Sequence, residues 1–323
     1  MYEQLKKIFG DRIKEGEPLA RYTTFKIGGP ADCFFDAKTK EECIQAVTLA
    51  KKHHIPFFIL GGGTNILIGD KGIRAFVIKN SSQGIFIKGM KGSMGKARSI
   101  GTVFVEVDSG VAMNKLVRFT IEEGLGGLEM QLGLPGTVGG AVYMNSKWTH
   151  PEGYVGDSVF QATILTPSGD IRTVSHDYFR FAYDFSILQQ SHDILISVTF
   201  ALSQRNKEEL WNIANDSIAY RRTTQPQGIL SAGCTFRNIS KAEALTASTP
   251  NHTTSAGYLV DSAGLKGAKI GDAQISPIHA NFIVNLGHAK AREVVELIEK
   301  ARSAVSQKFG VTLVEEIVRV GEF

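Results

Sequence analysis

Pro56-Phe57-Phe58-Ile59-Leu60-Gly61-Gly62-Gly63-Thr64-Asn65 is an apolar strand that runs straight into three glycines and two side-chain donors. Ahead of it, Glu41 to His54 carries apolar residues at Ile44, Val47, Leu49 and Ala50, a helical recurrence. Helix, strand and glycine loop in that order is an arrangement that binds phosphate. Glycines let the backbone turn sharply and aim N–H groups at an anion, and Thr64 and Asn65 add donors. A dinucleotide-binding G-x-G-x-x-G would need a helix to open directly after the glycines, but Ile66-Leu67-Ile68 followed by Gly69-Asp70 reads as a short strand and turn, so this is no Rossmann loop. A plain tight turn also uses such glycines, and at this point both readings stand.

A second glycine loop, Gly133-Leu134-Pro135-Gly136-Thr137-Val138-Gly139-Gly140-Ala141, strengthens the first reading. It holds four glycines and a proline with little side-chain bulk, so its backbone passes close to something. Two such loops can clasp opposite sides of an extended pyrophosphate. The cofactor-binding candidates are therefore Gly61, Gly62, Gly63, Thr64 and Asn65 from the first loop, and Gly133, Pro135, Gly136, Thr137, Gly139, Gly140 and Ala141 from the second.

With 323 residues the chain can bury a large core in two or three domains. Its formal net charge of +4 is mild and its Lys and Arg are scattered, which argues against a nucleic-acid groove. The longest apolar run, Ile55 to Leu60, is far too short to span a bilayer, and Met1 to Lys7 lacks the apolar stretch of a signal peptide. Cys33, Cys43 and Cys234 are odd in number and have no metal-ligand spacing, which points to reduced thiols and a cytoplasmic protein without a metal site. Lys88 to Lys96 reads as an exposed basic hairpin.

Ser231-Ala232-Gly233-Cys234-Thr235-Phe236-Arg237-Asn238 sets a thiol between a glycine and a run of hydrogen-bonding groups, a place for a proton donor. The alternative is a turn around a small buried cysteine.

In order and spacing, Thr24-Phe25-Lys26-Ile27-Gly28-Gly29-Pro30-Ala31, Leu60 to Asn65 and Gly133 to Ala141 resemble the FAD-binding half of the UDP-N-acetylenolpyruvoylglucosamine reductase (MurB) family. The resemblance continues through Ser231 to Asn238, Ala256 to Gly267, Ser276 to Asn285 and Phe309 to Ile317, and so covers nearly the whole chain. It implies an α+β protein: a two-subdomain FAD-binding fold of the vanillyl-alcohol-oxidase type over 1–80 and 81–206, and a third α/β substrate-binding domain over 207–323. It also implies non-covalent FAD, NADPH as reductant, a UDP-sugar substrate, a cytoplasmic monomer, and a role in peptidoglycan precursor synthesis. Reduced flavin would deliver hydride to the enolpyruvyl β-carbon while an acid protonates the α-carbon. Flavin oxidases of the same wider fold attach FAD through a histidine near the first phosphate loop, and none occurs between Gly61 and Ile78. With only Ile187 to Asp193 between Ser186 and the next strand, the chain resembles the family's shorter form.

On this resemblance Cys234 falls on a catalytic serine. A thiol with an ordinary pKa near ~8.5 is mostly protonated at neutral pH and can serve as the acid. Glu316 falls on a catalytic glutamate; a surface residue beside Glu315 is the other reading. In Phe181-Ala182-Tyr183-Asp184-Phe185-Ser186, Tyr183 and Ser186 match the family, but Asp184 stands where an arginine is expected. That exchange reverses a charge near the expected substrate carboxylate. Another cation substitutes, or Asp184 faces solvent, or the enzyme is impaired, in which case a degenerate paralogue that binds FAD or a UDP-sugar without turnover is the alternative. The substrate-binding candidates are Tyr183, Arg221, Arg222, Arg237, Asn238 and His279, with Lys266 and Gln274 in the same matched segments. Arg221 and Arg222 also suit the end of the helix expected over Glu208 to Tyr220, and His279 also reads as structural. Ile239 to Ser255, polar and rich in Ala, Ser and Thr, is expected to form a mobile rim.

Overall fold

The computed structural model describes residues 1–91, 101–150, 152–247 and 249–323. It divides into two compact units: one of Met1, Phe35–Gly62 and Phe76–Arg221, the other of Tyr2–Phe34, Gly63–Ala75 and Arg222–Phe323. The division falls inside the strands Pro30–Ala37 and Ile73–Asn80, between Gly62 and Gly63, and between Arg221 and Arg222. Helix and strand are mixed throughout, as expected for an α+β chain.

In the first unit the helix Lys40–Lys52 starts where Thr39 accepts a hydrogen bond from the Glu42 N–H at 3.2 Å, with Glu41 and Glu42 in its first turn and Lys51 and Lys52 in its last. Each feature suits the helix dipole and its unpaired end groups. Cys43, Ala46, Val47 and Ala50 are its buried stripe. Phe57–Leu60 then pairs parallel with Ile73–Asn80, Leu60 lying opposite Lys79. The rest of this unit is built on an antiparallel sheet in the order Ile171–Ser175, Val159–Leu165, Ile194–Gln204, Thr102–Asp108, Ile85–Lys91. Ile194–Gln204 is buried along most of its length because it sits mid-sheet, and Val198, Phe200 and Leu202 join Val105, Val107, Leu116 and Val142 in one core. Of the basic hairpin expected over Lys88 to Lys96, the part from Gly92 onward lies outside the described residues; Lys88 belongs to the edge strand Ile85–Lys91 and pairs with Glu106 at 3.1 Å.

The second unit has an antiparallel sheet in the order Leu230–Cys234, Phe282–Asn285, Ala273–Ile275, Lys269–Ile270, packed under the helix Ala291–Phe309. Val294, Leu297, Ile298, Ala301 and Val305 recur at helical spacing and fill its core. Asp70 accepts the Ala291 and Arg292 N–H groups at 2.8 and 3.1 Å, which anchors the turn after Ile66–Ile68 to the start of that helix. Val318–Val320 returns to pair parallel with Ile66–Ile68.

Within the segment Ile239 to Ser255, of which Ser248 lies outside the described residues, two elements form that composition did not suggest. Ser240 and Glu243 cap each other's main-chain N–H groups and open a helix at Lys241–Thr246, and Pro250–His252 forms a tight turn. The Ser-x-x-Glu spacing, a capping box, is the signal that composition hid. Among the described residues no helix is long and apolar enough to cross a membrane.

Candidate active site

Gly61 and Thr137 bring the two glycine loops together in the first unit. A Cβ built on Gly61 would lie 2.7 Å from Thr137 Oγ1. Gly61 is therefore required for close approach rather than flexibility. Thr137 caps the short helix Val138–Met144 through the Gly140 N–H at 3.4 Å. The second loop is pinned by three main-chain hydrogen bonds: Met113 N–H to Gly136 O at 3.0 Å, Val138 N–H to Val111 O at 2.8 Å, and Gly139 N–H to Ser109 O at 2.7 Å. The first loop thus meets the second at the Thr137 hydroxyl, an arrangement that suits an extended diphosphate. Gly61, Gly62, Gly133, Pro135, Gly136, Thr137, Gly139, Gly140 and Ala141 all belong to this unit.

Arg221 joins the same loop. Its Cδ would lie 3.0 Å from a Cβ on Gly133, and its guanidinium carbon sits 3.7 Å from the centre of the Trp148 ring. Both Arg221 and Arg222 lie within the helix Lys207–Thr224, which runs four residues beyond the end expected at Tyr220.

Asp184 is 6% exposed, which removes the solvent-facing reading. It occupies a left-handed conformation at φ 49° in the turn that Ala182 and Phe185 close with reciprocal main-chain hydrogen bonds of 3.1 and 3.2 Å. Aspartate tolerates that conformation better than most residues. Ser186 Oγ and Gln189 Nε2 both donate to Tyr143 O, at 2.7 and 3.0 Å, and fasten the turn to the end of the helix that the second glycine loop begins. A different cation stands next to the turn: Lys147 Nζ lies 5.3 Å from the centre of the Tyr183 ring and 5.5 Å from that of Tyr154.

The remaining candidates, Cys234 among them, belong to the second unit. Ser231 lies opposite Val284, yet Cys234 lies opposite Phe282, so one extra residue is inserted between them. Gly233 accommodates this bulge at φ 83°. Such a bulge re-aims the side chain that follows it, and here that side chain is Cys234, half-buried where Cys33 and Cys43 are buried. The next residues are held on both sides. Thr235 N–H donates to Asn281 O at 2.7 Å, Phe236 N–H to Asn281 Oδ1 at 2.9 Å, and Asn281 Nδ2 to Phe236 O at 2.8 Å. On the other side Glu316 N–H donates to Thr235 O at 2.8 Å and Arg237 N–H to Val314 O at 2.9 Å.

Glu316 is thus brought beside the cysteine segment, and Asn65 joins them by donating through Nδ2 to Glu316 O at 3.2 Å while its own carbonyl accepts from Val318 N–H at 3.0 Å. Thr24 ties the first loop to the same place: its N–H donates to Gly63 O at 3.0 Å and its hydroxyl to Ser231 O at 2.8 Å. Gly63, at φ 62°, would drive a Cβ into Tyr22 O. Glu315 is already engaged, its carboxylate taking Arg302 Nη2 at 2.6 Å and Arg319 Nε and Nη2 at 2.7 Å each. The half-buried Glu316 is the carboxylate beside the thiol segment.

The matched third-domain residues separate by role. Arg237 Nε is buried and donates no hydrogen bond among the described residues, so it has capacity left for an anion. Asn238 Oδ1 accepts the Ala256 N–H at 3.1 Å and caps a helix start. Lys266 is paired with Asp261 at 2.9 Å, and Gln274 Nε2 donates to Gly267 O at 3.1 Å. At His279, Nδ1 accepts the Asn281 N–H at 3.2 Å, the ring packs edge-on against Phe282, and burial holds its pKa below the usual imidazole value, a setting that fits the structural reading. It orients Asn281, which orients the cysteine segment. Sequence reading passed over Thr24, Asn281 and Lys147; the first two carry no charge, and their role lies in long-range hydrogen bonds that a linear pattern does not display.

Two converging glycine loops, and a bulge-mounted thiol whose segment is hydrogen-bonded to the main chain of Glu316, fit a flavin-binding oxidoreductase. Comparison with known proteins makes this specific. A family model described as FAD binding domain matches residues 31–175, and one described as UDP-N-acetylenolpyruvoylglucosamine reductase, C-terminal domain, matches residues 225–320. The reductase of that name from Caldanaerobacter subterraneus subsp. tengcongensis is 34% identical over 100% of this chain and 98% of its own length. That from Anoxybacillus flavithermus is 36% identical over 96% and 94%. The crystal structure of the Thermus caldophilus enzyme aligns with a TM-score of 0.75 at 32% identity, covering 95% of this chain and 98% of that one. This chain belongs to the UDP-N-acetylenolpyruvoylglucosamine reductase family.

Proposed function

We propose that this chain reduces UDP-N-acetylglucosamine enolpyruvate to UDP-N-acetylmuramate at the expense of NADPH, in the cytoplasm, as a step of peptidoglycan precursor synthesis. The observation that carries the reading is the bulge at Ala232-Gly233, which presents Cys234 beside a backbone to which Glu316 is hydrogen-bonded. The close meeting of Gly61 with the Thr137 hydroxyl, which brings the two glycine loops together, supports non-covalent FAD. When bound, FAD supplies the two-electron relay by which hydride from NADPH reaches the enolpyruvyl β-carbon.

The protein's own groups do the rest. Cys234 holds the proton that goes to the α-carbon as the carbon–carbon double bond is consumed, and the resulting thiolate recovers a proton from solvent. Glu316 orients the enolpyruvyl group by hydrogen bonding. Arg237, with an unused buried N–H, faces the charge that spreads into the substrate carboxylate as the β-carbon accepts hydride. Lys147, rather than Asp184, supplies the further cation beside the Tyr183 turn. Each double bond reduced consumes one NADPH and one proton.

The test is direct. Purified protein should be yellow, and NADPH oxidation should depend on UDP-N-acetylglucosamine enolpyruvate, with a product heavier by two hydrogens in the mass spectrum. Flavin-loaded protein that fails to consume NADPH in the presence of the enolpyruvyl sugar would refute the reading.

A further inference from the structure

Lys79 lies opposite Leu60 in the parallel pair, at the same strand end from which the first glycine loop departs. Its half-buried side chain donates through Nζ to Gly61 O at 2.7 Å. The next residue, Asn80, points to the other face of the strand, as neighbours in a strand do. Asn80 Nδ2 donates to Ser109 Oγ at 2.9 Å, and Ser109 O accepts the Gly139 N–H of the second glycine loop at 2.7 Å. Ser82 completes the tie: its N–H and hydroxyl donate to Asn80 Oδ1 at 3.1 and 2.8 Å, and its Oγ accepts the Gly110 N–H at 3.2 Å. Two adjacent residues thus reach one glycine loop each, at the place where Gly61 meets Thr137.

A half-buried ammonium satisfied by one carbonyl and, among the described residues, by no carboxylate is partly desolvated without a matching charge. Burial lowers the Lys79 pKa, which Asp36 opposes and Lys38 reinforces, so the site as it stands disfavours the charge it contains. An anion arriving at the cradle would reverse that balance. Open parallel strands bind ligands at their carboxyl ends, and Lys79 occupies that end.

We infer that Lys79 is the half-buried counter-charge for the cofactor's diphosphate, held by Gly61 and registered by Asn80 against the second loop. This rests on the FAD reading above and concerns which residue gives the diphosphate its affinity.

The experiment titrates apo-protein with FAD, following flavin fluorescence, and with ADP and adenosine as competitors, for wild type, Lys79→Met and Lys79→Arg. Lys79→Met should weaken FAD and ADP by at least about tenfold, as loss of a charge-assisted contact does, and should leave adenosine, which has no phosphate, within about twofold. Lys79→Arg should recover part of the affinity. Unchanged FAD affinity in Lys79→Met would overturn the inference, and so would equal weakening of ADP and adenosine, because the lysine would then only be propping the loop. If Lys79→Met does not fold, Lys79→Gln, which also removes the charge, is read by the same criteria: FAD and ADP weakened with adenosine unchanged supports the inference, and unchanged FAD affinity or equal weakening of ADP and adenosine overturns it. Wild type that binds no FAD at all would instead defeat the cofactor reading itself.

Discussion

The main-chain N–H of Glu316 donates to the carbonyl oxygen of Thr235 at 2.8 Å, which fixes the last stretch of the chain to the residue beside Cys234. Asn65 donates to the Glu316 carbonyl, so the end of the first glycine loop shares the same anchor. The segments that carry the proposed acid Cys234, Glu316 and the loop end are therefore linked through the main chain of Thr235 and Glu316. Backbone links tolerate side-chain exchange, which is why a cysteine can stand where the family resemblance implies serine.

The cradle has a steric signature. Gly61→Val places its side chain against Thr137, and Gly63→Ala forces an L-residue into a left-handed conformation against Tyr22 O. Overpacking of this kind costs about 1–3 kcal/mol. Both variants should be purified largely without flavin, as measured by the ratio of absorbance at 450 nm to that at 280 nm; a full complement of flavin in Gly61→Val would mean that the two loops do not form the cofactor site.

Asp184 is tested by a substitution its backbone tolerates. Asparagine also accepts the left-handed turn and carries no charge, so Asp184→Asn should leave the melting temperature within a few degrees of wild type. If the carboxylate lies near the substrate anion, KM for the enolpyruvyl sugar should fall with kcat little changed. Lys147→Met should do the opposite and raise KM. Equal KM values in all three proteins would place both groups outside the substrate site.

His279 sets a pH dependence of stability. Its folded pKa lies below its ordinary value of 6.5 because burial disfavours the charged ring. As pH falls below about 6.5 the unfolded chain therefore takes up a proton before the folded one, and stability declines with falling pH. Well above 6.5 the group has no effect. Thermal denaturation between pH 7.5 and 5 should show this decline, and His279→Gln should reduce it; an unaltered pH profile in the variant would assign the effect elsewhere.

The thiols should differ sharply. Burial pushes the Cys43 pKa up to about 12 and raises that of Cys33, whereas Cys234 is half-buried. An aromatic disulfide reagent at pH 8 should therefore modify a single cysteine in the native protein, identified as Cys234 by peptide mapping, and all three after denaturation. Rapid native labelling of Cys43 would contradict the packing of the helix Lys40–Lys52.

Much of this was legible in the chain itself. The helix, strand and glycine loop over Glu41 to Asn65 obey local periodicity, and Ile66–Ile68 follows as a strand, which excluded the dinucleotide loop. The core helix at the C-terminus shows its stripe openly. What was hidden depends on distance in sequence or on one backbone angle. The bulge before Cys234 exists only relative to Val284 and Phe282. Asp184 could have faced solvent until its turn was seen fastened to Tyr143. Lys79 ends an apolar strand and reads as an ordinary boundary residue until Leu60 is placed beside it. The helix Lys241–Thr246 was missed for another reason, since its capping pair was present in the sequence and masked by an Ala, Ser and Thr composition.

Cys234 is the proposed proton donor, and the two half-reactions separate that role from every other. Reduction of bound flavin by NADPH requires no acid at the substrate α-carbon, whereas reoxidation by the enolpyruvyl sugar does. Anaerobic stopped-flow absorbance at 450 nm on Cys234→Ala should show bleaching by NADPH at close to the wild-type rate, and reoxidation by UDP-N-acetylglucosamine enolpyruvate slowed by a factor of about 10² or more, with Cys234→Ser recovering much of the loss. Reoxidation of Cys234→Ala at the wild-type rate would contradict the account and leave Cys234 a small thiol on a bulge.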